Sequence, residues 1–440
     1  MRSLIAIGFL AAAALPAAAQ DEFTATLKGH AILPAKTLIA APVDAPASMK
    51  VSGKFTGTGP NRLKTAPSAG DTLPFDGQPV QGFSGIKKLD DGTFLVLTDN
   101  GFGSMANSPD AMLMFHRVAP NFETGEVEIL ETTFLSDPEQ VVPFLVTNEA
   151  SDKRYLTGAD FDLEGFQPVG DKVFIGDEFG PYIIVVDRET GEVEEFFETF
   201  VDGNKVRSPD HHEVRLPNPD GEMPEITAKR SRGYEGFAAS IDGKTLYPML
   251  EGPIWNVEAA AYEDVDGTHA LRILEFDVAG REFTGRSWLY PMEANGHAIG
   301  DFNMIDETRG LVIERDWGQG DEADACKDGQ TEGCFENPAK FKRVYMINMD
   351  GVEPGQPVRK VGYIDLMDIQ DPGGVARVGK REDGTLTFPF VTIEDVDRVD
   401  DTHIIVANDN NFPFSKGRSL TEPDNNEFVL LEVGAFLNAK

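Results

Sequence analysis

Beyond residue 20 the chain alternates short apolar runs with polar turns. Phe94-Leu95-Val96-Leu97, Tyr182–Asp187, Leu271–Val278, Val344–Met349 and Phe428–Val433 are rich in β-branched and aromatic residues and have the length of single strands. Turn signals such as Asp90-Asp91-Gly92, Thr190-Gly191 and Asp242-Gly243 punctuate them. The pattern predicts an all-β fold.

The runs recur in a unit that opens with an acidic or small residue beside Gly or Phe, turns, passes through an apolar run and ends in a second acidic cluster. Five copies are evident. Their openings are Gly82-Phe83-Ser84-Gly85, Asp162-Leu163-Glu164-Gly165-Phe166, Tyr234-Glu235-Gly236-Phe237, Gly300-Asp301-Phe302 and Ile393-Glu394-Asp395. The endings are Asp99-Asn100-Gly101, Asp177-Glu178-Phe179-Gly180, Leu250-Glu251-Gly252, Glu314-Arg315-Asp316 and Asn408-Asp409-Asn410. Starts counted at Ser84, Glu164, Glu235, Asp301 and Glu394 lie 66 to 93 residues apart. Each unit accommodates a three- or four-stranded meander, and repeated meanders predict a β-propeller.

The fifth unit lacks its last strand. Phe23–Leu33 and Ser48–Phe55 carry strand-like alternation, so N-terminal strands are expected to close the ring. This reading favours six blades, with five or seven as alternatives and a β-sandwich pair as the competing fold. Segments 202–232 and 319–340 are expected to be loop inserts in one domain spanning residues 20–440.

The chain has 440 residues and a formal net charge of −35. Hydrophobic residues make up 41%, enough for a large core, which excludes a wholly disordered chain. The acidity argues against nucleic-acid binding. Arg2, the apolar run Leu4–Leu15 and Ala17-Ala18-Ala19 form the three parts of a secretory leader, expected to be cleaved before Gln20. Apart from that leader, no apolar run has membrane-spanning length. A periplasmic or secreted monomer is expected, and an oxidising compartment favours a disulfide between Cys326 and Cys334.

In a propeller the matching positions of the inner strands converge on one channel. The predicted metal ligands are therefore Glu164, Asp177, Glu178, Glu251, Asp301, Glu394 and Asp409. Two carboxylates ~4 Å apart repel by about 4 kcal/mol at an effective dielectric of 20. A hard divalent cation, Ca²⁺ by preference, would offset this. The alternative for any one acid is turn or strand-end chemistry.

The candidate catalytic residues are Glu235 and Glu314 as bases, Arg315 as an anion clamp, and His297 as acid or base. The alternative for Arg315 is an ion pair with its flanking acids. His211-His212-Glu213 lacks zinc-protease spacing and is expected to be a solvated loop.

Asp162–Phe166, Gly176–Pro181, Arg232–Phe237, Asp242–Tyr247, Leu250–Pro253, Gly300–Phe302 and Ile313–Asp316 together resemble the phytase-like family described by esterase-like activity, a group of exported bacterial proteins. The resemblance runs from about Gly82 to Val433. It implies a propeller and hydrolysis of phosphate or other esters. Ser84 and Asp301 depart from the Glu-Gly-Phe pattern, so a symmetric glutamate ring is not implied. The resulting expectation is a metal-dependent hydrolase of a small phosphoester or other ester. Its rivals are a lactonase-like propeller and a non-catalytic propeller that binds a ligand or metal.

Overall fold

The computed structural model describes residues 20–56, 67, 70–217 and 220–440. The expected leader, residues 1–19, lies outside the described residues. The two α-helices among them, His212–Arg215 and Gly434–Leu437, are four residues each. Among the described residues, no helix is long and apolar enough to cross a membrane.

Five antiparallel four-stranded meanders carry the fold. The first joins Phe83–Lys88, Phe94–Thr98, Met114–Asn121 and Glu126–Phe134. The second joins Leu163–Val169, Lys172–Asp177, Tyr182–Asp187 and Val193–Glu198. Tyr234–Ala239, Thr245–Leu250, Thr268–Asp277 and Glu282–Pro291 make the third. The fourth comprises Ala298–Met304, Arg309–Arg315, Lys342–Asn348 and Arg359–Asp365, with Asp21–Phe23 parallel to its outer edge. Asp395–Arg398, His403–Ala407 and Asn426–Glu432 begin the fifth, and Thr26–Leu33 completes it.

A sixth sheet of this kind is not formed by the described residues. Thr26–Leu33 serves as the missing strand of the fifth sheet instead of founding another. Ser48–Phe55 is not a strand: a 3₁₀ turn covers Ala47–Met49, and Ser52 makes one isolated bridge to Phe75.

Consecutive sheets sandwich separate apolar layers. Leu97 and Phe115 meet Phe166 and Val173 between the first and second sheets. Phe174 and Val185 meet Phe237 and Leu250 between the second and third. Met249 and Trp288 meet Phe302 and Val312 between the third and fourth. Ile313 and Met346 meet Val396 and Val429 between the fourth and fifth, where Leu27 also packs. Phe428 and Ala31 meet Phe83 and Val96 between the fifth and first. Five layers for five sheets close a propeller-like ring, and a two-sheet sandwich would have a single layer.

This arrangement explains the continuous apolar runs. Successive side chains of a strand point to opposite faces, and here both faces are covered. Val173 and Ile175 enter one layer while Phe174 enters the next. The first strands of the sheets also touch one another in cyclic order.

Cys326 and Cys334 are disulfide-bonded. The bond closes a loop between the second and third strands of the fourth sheet. It is consistent with a secreted or periplasmic protein.

Candidate functional site

The opening acids of three units meet. Glu164 and Glu235 are the second residues of their sheets' first strands, and Glu394 immediately precedes its own. Carboxylate oxygens of these three lie within 4.8 Å of one another. The glycine after the acid makes the approach feasible. Gly165 has φ 49°, and a Cβ there would lie 2.3 Å from the carbonyl oxygen of Glu235. The strand register also shifts at this level, re-aiming the acids relative to a regular pleat.

The fourth unit differs. Its glycine precedes the acid, and a Cβ on Gly300 would lie 1.9 Å from the carbonyl oxygen of Ile393. Asp301 turns to backbone instead, accepting from Val396 N at 2.9 Å and Phe302 N at 2.7 Å. It does not join the clustered acids. Arg315, at the end of the second strand of that sheet, reaches them and donates from Nη2 to Glu394 Oε1 at 2.9 Å. In the first unit Ser84 donates to Glu394 Oε2 at 3.4 Å.

Two further carboxylate groups adjoin this trio. Glu178 and Glu251 gather with Glu235, while Asp99 and Asp162 gather with Glu164. Glu235 and Glu164 are thus shared between neighbouring groups. Asp162 was absent from the predicted ligand set. The signal available was its position two residues before Glu164, which places both on one side of an extended strand.

Asp177 and Asp409 lie nearby but outside these groups. Asp177 accepts from Asp162 N at 2.9 Å and Gly180 N at 2.7 Å. Asp409 accepts from Thr392 Oγ1 at 3.0 Å and Asn411 N at 2.6 Å. Both brace the turns that carry the cluster.

Burial first, and then mutual repulsion, pushes Glu164, Glu178 and Glu235 well above the usual carboxylate range. Burial raises Asp162 to about 7. Glu394 is also raised by burial, against the pull of Arg315. Burial opposes the charge on Arg315, yet Glu394, Glu235 and Glu251 outweigh it and hold the guanidinium above its ordinary pKa.

Several buried atoms lack partners: Glu235 Oε1, Glu251 Oε1, and Nε and Nη1 of Arg315. Orphaned carboxylate oxygens within an all-oxygen donor set fit a hard cation. The clusters could hold a metal ion. Arg232 pairs with Glu251, lies 4.0 Å from Glu178, and rests with Arg315 against the Trp317 indole.

Glu314 and His297 meet each other but do not join the cluster. Glu314 precedes Arg315 on one strand, so its side chain takes the opposite face. It receives hydrogen bonds from Tyr290 Oη at 2.9 Å, Glu293 N at 2.8 Å and Lys360 Nζ at 2.9 Å, and His297 Nδ1 lies at 2.9 Å. Burial would raise its pKa, but His297 and Lys360 prevail and lower it. Four partners leave this carboxylate poorly placed to act as a base.

His211 is buried, which overturns the expected solvated loop. Its ring packs on Tyr182 and His212, and its Nδ1 accepts from Glu213 N. Deeper in the ring, Asn303 Oδ1 accepts from Lys87 Nζ at 3.0 Å and Gln167 Nε2 at 2.8 Å. This polar contact joins three sheets along the channel and was not anticipated.

A family model described as "Phytase-like: Esterase-like activity of phytase" matches residues 78–412. The chain belongs to this phytase-like family. No curated protein matches it. Among solved structures, a luciferin-regenerating enzyme is 10% identical with a TM-score of 0.32, over 80% of this chain and 92% of that one. A PQQ-bound aldose sugar dehydrogenase from Streptomyces coelicolor is 14% identical with a TM-score of 0.34, over 83% of this chain and 99% of that one. At these scores and identities neither likeness bears on what the phytase-like chain does.

Proposed function

We propose that this phytase-like protein is an exported, five-bladed propeller that hydrolyses ester bonds with the help of a divalent cation, Ca²⁺ by preference. The observation that carries this reading is the meeting of Glu164, Glu235 and Glu394, contributed by three different sheets, within 4.8 Å of one another. The cation would rest among these carboxylates, with Glu178 and Glu251 beside it. When bound, it supplies positive charge that polarises the ester's oxygen and acidifies a water.

The chain's own residues supply the rest. Arg315 has two unpartnered nitrogens to offer an anionic group, and Arg232 adds a second positive charge. Glu235 Oε1, also without a partner, accepts the proton of the attacking water. Export to an oxidising space and a monomeric state complete the proposal.

A phosphoester is the favoured substrate, because a family named for phytase and two clustered arginines both suit an anion. The second reading is a neutral lactone. It is favoured by the excess of seven acids (Asp99, Asp162, Glu164, Glu178, Glu235, Glu251, Glu394) over those two arginines. Assays of 4-nitrophenyl phosphate, phytate, a carboxylester and a lactone, with Ca²⁺ and after chelation, test both. Ca²⁺-dependent phosphoester turnover is expected. A preference for the lactone would select the second reading, and Ca²⁺ binding without any turnover would reduce the protein to a metal-binding propeller.

A further inference from the structure

Trp317 follows Arg315 by two residues, and its indole lies against the guanidinium groups of both Arg315 and Arg232. The guanidinium carbons of Arg315 and Arg232 lie 4.6 and 4.8 Å from the indole centroid. Both arginines are largely held by carboxylates below, yet Trp317 remains 43% exposed. A large, rigid aromatic surface is thus presented at the mouth of the acid cluster.

The indole also walls a cavity of about 430 Å³. Its other walls include Phe335 and Cys334 from the disulfide-closed loop, Leu420 and Lys416 from the loop before the last strand, and Gln319. The volume suits a small organic group. Phe335 and Leu420 give it an apolar side, and Thr331, Glu332, Glu336 and Asn337 give it a polar one. The cavity meets the two cations only through Trp317, whose indole both arginines touch, so a ring lying on that indole would have the guanidinium groups at its edge.

We infer that this cavity is the subsite for the organic part of the ester, and that this part carries an aromatic ring that stacks on Trp317 while its anionic end faces Arg315 and Arg232. The inference rests on the ester-binding reading above for the orientation of the ligand. Trp317 is then a specificity-determining residue, and the loop closed by Cys326–Cys334 forms the outer wall of its subsite.

The test uses the full-length Ca²⁺-loaded protein with phenyl phosphate and methyl phosphate as probes. Affinities are read by calorimetry, and KM and kcat by phosphate release. The expected result is that phenyl phosphate binds about tenfold more tightly than methyl phosphate. That ratio should fall to within about twofold in Trp317→Ala and be largely restored in Trp317→Phe. Leu420→Trp, which fills the cavity from the opposite wall without touching either arginine, should lower the ratio as well. Any kinetic change should appear in KM for the phenyl ester before kcat. An equal phenyl-to-methyl ratio in wild type, Trp317→Ala and Leu420→Trp would overturn the inference. A Trp317-dependent ratio without turnover of either ester would uphold the subsite while removing the hydrolase reading. Turnover of both esters with a ratio indifferent to Trp317 would remove the subsite alone.

Discussion

Arg315 Nη2 donates to Glu394 Oε1 across 2.9 Å, with the two side chains only 3% and 6% exposed. The pair ties the second strand of the fourth sheet to the head of the fifth sheet, where the clustered carboxylates already repel one another. Removing one member of a buried pair leaves the other uncompensated, at a cost of about 3–5 kcal/mol. Arg315→Ala should therefore lose about that much stability in urea titrations without Ca²⁺. The same variant should bind Ca²⁺ more tightly, because a competing positive charge has gone. Unchanged stability and unchanged Ca²⁺ affinity would place Arg315 outside the electrostatics of the site.

Glu235→Gln should act in the opposite sense. Glu235 is buried, its Oε1 has no partner, and its neighbours are carboxylates. Neutralising it relieves repulsion, so the metal-free protein should melt at a higher temperature than wild type. The gain from Ca²⁺ should shrink. A ligand at a hundred times its Kd stabilises by about 2.7 kcal/mol, and most of that increment should disappear in the variant. Paired thermal melts with Ca²⁺ and with chelator read both effects.

Glu314→Gln separates the two carboxylate networks. Glu314 anchors Lys360, Tyr290 and His297 on the far face of the strand from Arg315. The substitution should destabilise the protein by several kcal/mol, because Lys360 loses a buried partner. The increment in melting temperature produced by Ca²⁺ should persist. Loss of that increment would bring Glu314 back into the metal site.

The ring closure carries a pH signature. Glu427 receives Arg418 through Nε at 3.0 Å and Nη2 at 2.7 Å, and His30 of the closing strand lies 3.1 Å away. Burial opposes the charge, but Arg418 and His30 win and lower Glu427 from 4.5 to about 2. A carboxyl depressed in the folded state contributes stability above its unfolded pKa. That contribution is lost as pH falls from about 4.5 towards about 2. Glu427→Gln should be less stable at pH 7 and show a shallower loss of stability across this acid window. An identical slope in both proteins would contradict the assignment.

Much of this was legible from the repeat. The acid that opens each unit located Glu164, Glu235 and Glu394, and the short fifth unit announced that N-terminal residues would complete it. The state of Ser48–Phe55 was harder to read, because it alternates like a strand yet lies in 3₁₀ and turn structure. Asp301 misled because the order of glycine and acid is reversed there, and a close backbone approach at Gly300 sends its carboxyl to Val396 N. Glu314 and Arg315 are adjacent in a strand, so only one of them could face the channel. Alternation along the strand decides which: Arg315 shares a face with Ile313, which packs towards the fifth sheet, and Glu314 shares one with Val312, which packs towards the third.

The central claim is that carboxylates from separate sheets hold a cation together. Crystals grown in Ca²⁺ and measured for anomalous scattering test it most directly. A difference peak bounded by the carboxylates of Glu164, Glu235 and Glu394 is the expected result. A map with saturating Ca²⁺ and no peak among those three side chains would contradict it.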